Sequence, residues 1–182
     1  MASMGKKNDA HFMEEALCAA ESALQRGEFP VGCVIADGRK VVATGARRGS
    51  RGALPNEIDH AEMTALRALY ENGAAGRTEH LSLYCTMEPC LMCFAAIILN
   101  RIPKIVYAYE DVMGGGTRCD LKSQAPLYAA SGIRVVPGVL RERSLALFKR
   151  FFKDPRQSYW KESLLSRYTL SQEAEDAGKK EF

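Results

Sequence analysis

Apolar residues along this chain fall into helical stripes separated by short β-rich runs. Phe12, Leu17, Ala20 and Leu24 recur near helical spacing, which predicts a helix over residues 11–26 ended by Gly27. Val31–Ile35 and Val41–Thr44 read as strands, with Asp37-Gly38 between them as a hairpin signal. Residues 46–59 carry Gly49, Gly52, Pro55 and Asn56 and read as a loop. A helix is expected from Asp59 to Tyr70, burying Met63, Leu66 and Leu69. Leu81–Thr86 reads as a third strand, Cys90–Leu99 as a helix and Ile105–Tyr109 as a fourth strand. Gly114-Gly-Gly116 marks a flexible loop, and a helix over Leu121–Ala130 is interrupted by Pro126. Ile133–Val136 gives a fifth strand, and Arg141–Phe152 and Gln157–Leu170 give terminal helices separated by Pro155.

The lengths of the connections set the topology. A hairpin makes the first two strands antiparallel, whereas each later strand follows a crossover and is expected parallel to its fellows. The prediction is an α/β fold: a three-layer α/β/α sandwich on a five-stranded mixed sheet. Residues 1–155 are expected to form one domain, with 156–182 a helical extension and a disordered polar tail.

Composition changes little of this. The 182 residues are 47% hydrophobic and 26% charged, ordinary values for a globular domain, and the net charge is +3. No apolar run approaches the ~20 residues of a membrane span. The opening Met-Ala-Ser-Met-Gly-Lys-Lys-Asn lacks the apolar stretch of a signal peptide. Six cysteines without small-domain spacing suggest reduced thiols, with Cys18, Cys33, Cys85 and Cys119 core or incidental residues. A cytoplasmic enzyme is expected. The last twelve residues, with four acids against two bases, read as a solvated tail.

The chemistry sits in His60-Ala-Glu62 and Pro89-Cys-Leu-Met-Cys93. Cys90 and Cys93, three apart at a helix start, project sulfurs from one face, and the helix N-terminus favours their thiolates. Pro89 suits a helix start, since its φ is already helical. His60 adds a nitrogen from a second helix start. Three protein ligands leave a fourth tetrahedral position open, as in a catalytic zinc site. Glu62, two residues on, turns away from the histidine direction and is free to carry protons. A redox pair would leave His-Ala-Glu unexplained, and a structural knuckle would need a fourth ligand. Cys85, the nearest candidate, looks like a strand residue. The joint pattern points to hydrolytic deamination of a nucleobase ring.

From about Phe12 to Phe152 the chain resembles the cytidine deaminase-like superfamily, and within it the bacterial tRNA-specific adenosine deaminases. The likeness lies in Glu28-Phe-Pro-Val-Gly32, His60-Ala-Glu-Met-Thr-Ala-Leu66, Leu83-Tyr-Cys-Thr-Met-Glu-Pro-Cys-Leu-Met-Cys93 and Arg101-Ile-Pro-Lys-Ile-Val-Tyr107. The resemblance implies Zn2+ on His60, Cys90 and Cys93, proton transfer by Glu62, and a base pocket lined by Val31, Met87 and Glu88. It also implies a homodimer and a tRNA anticodon loop as substrate. Guanine deaminases carry a similar motif, so a free nucleobase, nucleoside or nucleotide is the competing substrate. A silent partner subunit on the same scaffold is a third reading, and the intact Glu62 argues against it.

Phe148-Lys-Arg-Phe-Phe-Lys153 resembles the family's basic aromatic helix that helps to hold RNA; the plainer alternative is that its aromatics pack on the sheet. One departure stands out. Arg47 occupies about the position of an asparagine that hydrogen-bonds the purine, and a guanidinium cannot accept a hydrogen bond. Arg47, Arg48 and Arg51 together form either a phosphate grip or, for the latter two above all, a solvated basic loop.

Overall fold

The computed structural model describes residues 2–52, 54–73 and 78–172. Its sheet has the strand order β2-β1-β3-β4-β5, built from β1 (Gly32–Ala36), β2 (Val41–Ala46), β3 (Ser82–Met87), β4 (Lys104–Tyr109) and β5 (Arg134–Val136). β1 runs antiparallel to β2 and to β3, while β3, β4 and β5 are mutually parallel. The mixed sheet expected from hairpin and crossovers is the one observed.

Two cores flank it. Side chains at i and i+2 share a face, so Val34, Tyr84 and Val106 meet Phe12, Met13 and Ala16 of α1 (Ala2–Gln25). On the other face, Cys33, Ile35, Leu83, Cys85 and Ile105 pack with α2 (Ala61–Glu71) and α3 (Leu91–Leu99) through Ala65, Leu69, Phe94 and Ile97. The fold is an α/β/α sandwich whose parallel centre delivers β3 directly into α3.

Several boundaries depart from the sequence expectation. α1 starts at Ala2, well before the apolar stripe that anchors it from Phe12 on. Met63 is only half-buried, and Ala61 and Ala65 face the sheet instead. Pro126 does not interrupt a helix. It occupies the first turn of α4 (Pro126–Ala129), after a separate 3-10 turn at Leu121–Ser123, where its missing amide hydrogen costs nothing.

After α5 (Arg141–Lys153) the expected helix from Gln157 begins only at Leu164, as α6 (Leu164–Ser171). Residues 155–163 turn instead, with Trp160 at φ 56°, and Ser163 caps α6 by accepting from Ser166 N at 3.0 Å. Leu165, Ser166 and Thr169 are buried against the main body. The expected disordered tail lies, from residue 173 on, outside the described residues. The aromatics of α5 answer the question posed by its sequence: Phe148, Phe151 and Phe152 are buried in the core around Phe29, with ring centroids 5.1, 5.2 and 5.9 Å from it.

Candidate active site

β2 leads through a loop to α2, and β3 turns directly into α3, so both helices begin beside the same sheet edge. His60 is the N-cap of α2 and Cys90 the N-cap of α3, each with extended backbone. Pro89 therefore lies before the cap and not in the first turn, and its carbonyl accepts from Gly116 N at 2.8 Å. The Gly114–Gly116 loop, expected flexible, is pinned here. A Cβ on Gly115 would lie 2.6 Å from the Glu88 carboxylate, so only glycine lets the loop cross so closely.

His60 Nδ1 stands 3.6 Å from Cys90 Sγ and 3.5 Å from Cys93 Sγ. The three ligand atoms all lie within 4.8 Å of one another. Tetrahedral zinc, with its usual bond lengths to nitrogen and sulfur, sets that separation at about 3.6 Å. The donor set and its spacing fit the ion, and zinc is the cofactor of this site.

Electrostatics agree with that use. The Cys90 thiol is pushed down to about 4, chiefly by the Cys93 hydrogen bond, against burial and with help from His60. Cys93 goes the opposite way, because the neighbouring Cys90 sulfur and burial favour its protonated form. The pair thus divides its protons unequally until a cation takes both sulfurs. Burial pulls His60 down, yet the Cys90 contact and the Glu62 charge outweigh it and raise it. Glu62 is 3% exposed, and burial raises its carboxyl above the ordinary value. A raised carboxyl holds a proton more readily than an ordinary glutamate, as a group that takes and gives protons must.

These groups open into a cavity of about 260 Å³. Val31 and Met87 line it and form apolar walls with Phe29. Glu88 also borders it, but its carboxylate faces the 111–117 loop, accepting from Thr117 Oγ1 and from Asp111 N at 3.2 Å. Cys33 and Cys85 are buried strand residues, Cys18 is exposed and Cys119 half-buried, and all six thiols are free.

Arg47 is the main surprise. It borders the cavity yet is 2% exposed. Nη1 donates to Arg48 O (3.0 Å) and Asn56 O (2.6 Å), and Nη2 donates to Glu57 Oε2 (2.9 Å) and Tyr159 OH (3.2 Å). The terminal nitrogens expected to meet a base or a phosphate are engaged by the protein itself. Arg48 and Arg51 remain exposed, Arg51 donating to Arg26 O at 2.8 Å.

Glu57, Tyr159, Trp160, Leu165 and Asp111 also line the cavity and were missed from the sequence. Glu57 lies in a polar loop where acids are common. Tyr159-Trp160, an aromatic pair in a polar connection that includes the chain's single tryptophan, was the available signal.

A zinc-ready triad beside a buried carboxylate, on an α/β/α sheet, defines a hydrolytic deaminase, and the chain belongs to that class. Residues 6–109 match the family described as the cytidine and deoxycytidylate deaminase zinc-binding region. Among its relatives, the tRNA-specific adenosine deaminase of Agrobacterium fabrum is 36% identical over 150 residues, covering 80% of this chain and 95% of the relative. That of Bacillus subtilis is 32% identical over 151 residues, covering 82% and 91%. A solved tRNA:A34 deaminase, which edits A to I at the wobble position of transfer RNA, superposes with a TM-score of 0.64 at 34% identity, covering 75% of this chain and 98% of the other.

Proposed function

We propose that the protein hydrolytically deaminates adenosine to inosine in tRNA, with zinc held by His60, Cys90 and Cys93. The observation that carries the chemistry is the meeting of three ligand atoms within 4.8 Å beside the buried Glu62. The choice of substrate is supported by the relatives at 32–36% identity that act on tRNA. When bound, zinc supplies Lewis acidity and lowers the pKa of a water to about 7. Glu62 takes a proton from the attacking water and delivers it to the ring nitrogen beside the amino-bearing carbon. It then carries the proton left on the new hydroxyl to the amine, which leaves as ammonia while the carbon keeps the oxygen as a carbonyl. Val31 and Met87 hold the ring by its apolar faces.

A second reading, a free nucleobase or nucleotide as substrate, is favoured by the pocket's outer wall. Arg47 is engaged by protein groups, and Tyr159 and Trp160 of the chain's own C-terminal segment line the pocket. As to surroundings, the four cysteines outside the metal site, Cys18, Cys33, Cys85 and Cys119, are free thiols, which supports a cytoplasmic setting. Among the described residues, no helix is long and apolar enough to cross a membrane. Exposed Leu54, Ile58, Leu91 and Leu99, on the loop before α2 and on α3, support a homodimer.

The test uses zinc-loaded protein, an anticodon stem-loop with wobble adenosine and a panel of free bases and nucleotides. We expect inosine from the stem-loop, with Glu62→Ala lowering kcat at least about 10²–10⁴-fold. Turnover of the free compounds alone would establish the second reading. Wild-type rates in Glu62→Ala would overturn the mechanism.

A further inference from the structure

A histidine that binds a metal through one ring nitrogen carries its proton on the other. In His60 the nitrogen facing the two sulfurs is Nδ1, which leaves Nε2 as the donor. Nε2 faces Glu57 Oε2 at 3.6 Å, an ion-pair distance somewhat longer than a hydrogen bond. The same carboxylate oxygen accepts from Arg47 Nη2 at 2.9 Å and from Tyr159 OH at 3.0 Å. Two hydrogen-bond donors and the free histidine nitrogen thus gather around one carboxylate oxygen.

We propose that Arg47 and Tyr159 form a clamp holding Glu57 as the outer-sphere carboxylate of His60, so that Glu57 is a positioning residue for the metal ligand. The proposal rests on His60 being a zinc ligand. A carboxylate in this place fixes the tautomer and ring orientation of a ligating histidine and strengthens its nitrogen as a donor.

Glu57 cannot hold that position unaided. Its side chain is 49% exposed, and an exposed carboxylate samples many rotamers. Arg47 restrains it. The guanidinium is buried, its other terminal nitrogen is fastened to two backbone carbonyls of the same loop, and a charged fork of this kind binds a carboxylate directionally. Tyr159 adds a neutral donor from 102 residues further along, and the guanidinium carbon of Arg47 lies 5.7 Å from the centre of its ring. This accounts for the arginine where the resemblance expects an asparagine: the side chain is turned toward a metal ligand's partner and not toward a base. It also joins the segment after α5 to the metal site.

The test measures zinc affinity of the full chain by competition with a chromophoric chelator, alongside melting of the metal-free protein and the visible spectrum with Co2+ replacing zinc. Glu57→Ala should weaken zinc binding about 10–100-fold and shift the cobalt bands. Glu57→Gln, which keeps an acceptor oxygen, should recover part of the loss, and Tyr159→Phe should lose less than Glu57→Ala. Metal-free melting of Glu57→Gln and Tyr159→Phe should follow the wild type, which separates positioning from folding. Zinc affinity and cobalt bands unchanged in both Glu57 variants would overturn the clamp while leaving the zinc site standing. Wild-type protein with no measurable zinc affinity would instead overturn the zinc reading itself, and the clamp with it.

Discussion

A Cβ placed on Gly45 would lie 2.2 Å from Ala61 O and 2.4 Å from Ala65 N, both backbone atoms of α2. The helix that begins at His60 and carries Glu62 therefore rests on bare strand backbone. Gly45→Ala should push α2 outward, at an overpacking cost of about 1–3 kcal/mol. We expect a lower urea midpoint and reduced zinc stoichiometry together, since the displaced helix start holds a ligand. A lower midpoint with full zinc content would mean that the displacement spares the helix N-terminus. The two halves of the candidate site, His60 with Glu62 and Cys90 with Cys93, are legible in the sequence because each spacing is only two or three residues, and the structure brings His60 to the two cysteines. Glu57 was not, since its role depends on Arg47 ten residues before it and on Tyr159 far beyond it. No local spacing encodes that meeting. Arg47 stands out in the sequence as unusual, but its partners do not: a buried cation takes whatever acceptors the fold brings, and here the fold brings a carboxylate, a hydroxyl and two carbonyls.

The strands and the helices α2, α3 and α5 follow their apolar periodicity, whereas α6 starts seven residues later than its pattern suggests, because contacts outside the segment decide its course. Tyr159 is drawn to Arg47 and Phe29, Thr169 meets Tyr109 of β4, Tyr168 meets Glu110 just after β4, and Gln172 accepts from Arg141 of α5. The centre of this fastening is Glu110. Arg141 Nε donates to its Oε2 at 2.8 Å, and Tyr168 OH donates to its Oε1 at 2.6 Å. Burial alone would raise the Glu110 carboxyl, but the Arg141 and Tyr168 hydrogen bonds outweigh it and hold it below the ordinary 4.5. A carboxyl lowered in the folded state stabilises fully above its unfolded value, and that contribution is lost as pH falls through the folded value. Fluorescence of Trp160, the single tryptophan, reports on this segment. Wild type and Glu110→Gln should differ above about pH 4.5 and converge in stronger acid. Identical acid profiles at every pH would show that Glu110 does not fasten α6.

At the scale of the whole molecule, connection length alone was enough to give a mixed sheet, because a hairpin forces antiparallel pairing and a crossover permits parallel pairing. What it did not give is that residues of the chain's own C-terminal segment, Tyr159, Trp160 and Leu165, line the pocket, which requires knowing where α5 ends in space. That lining bears on whether the substrate is a polymer or a small molecule, and charge offers a way to decide. Net charge is only +3, so RNA affinity has to come from local cations and not from a general field. With Arg47 engaged internally, the arginines left exposed on the pocket loop are Arg48 and Arg51. If they meet phosphates of an anticodon loop, each releases counterions on binding. The slope of log affinity against log salt for the stem-loop should then fall by about 1 with each of Arg48→Ala and Arg51→Ala, with zinc content unchanged. A free base carries no phosphate, so its KM should stay flat with salt and be indifferent to both substitutions. A stem-loop affinity whose salt slope ignores both arginines would remove this loop from the RNA surface and strengthen the small-substrate reading.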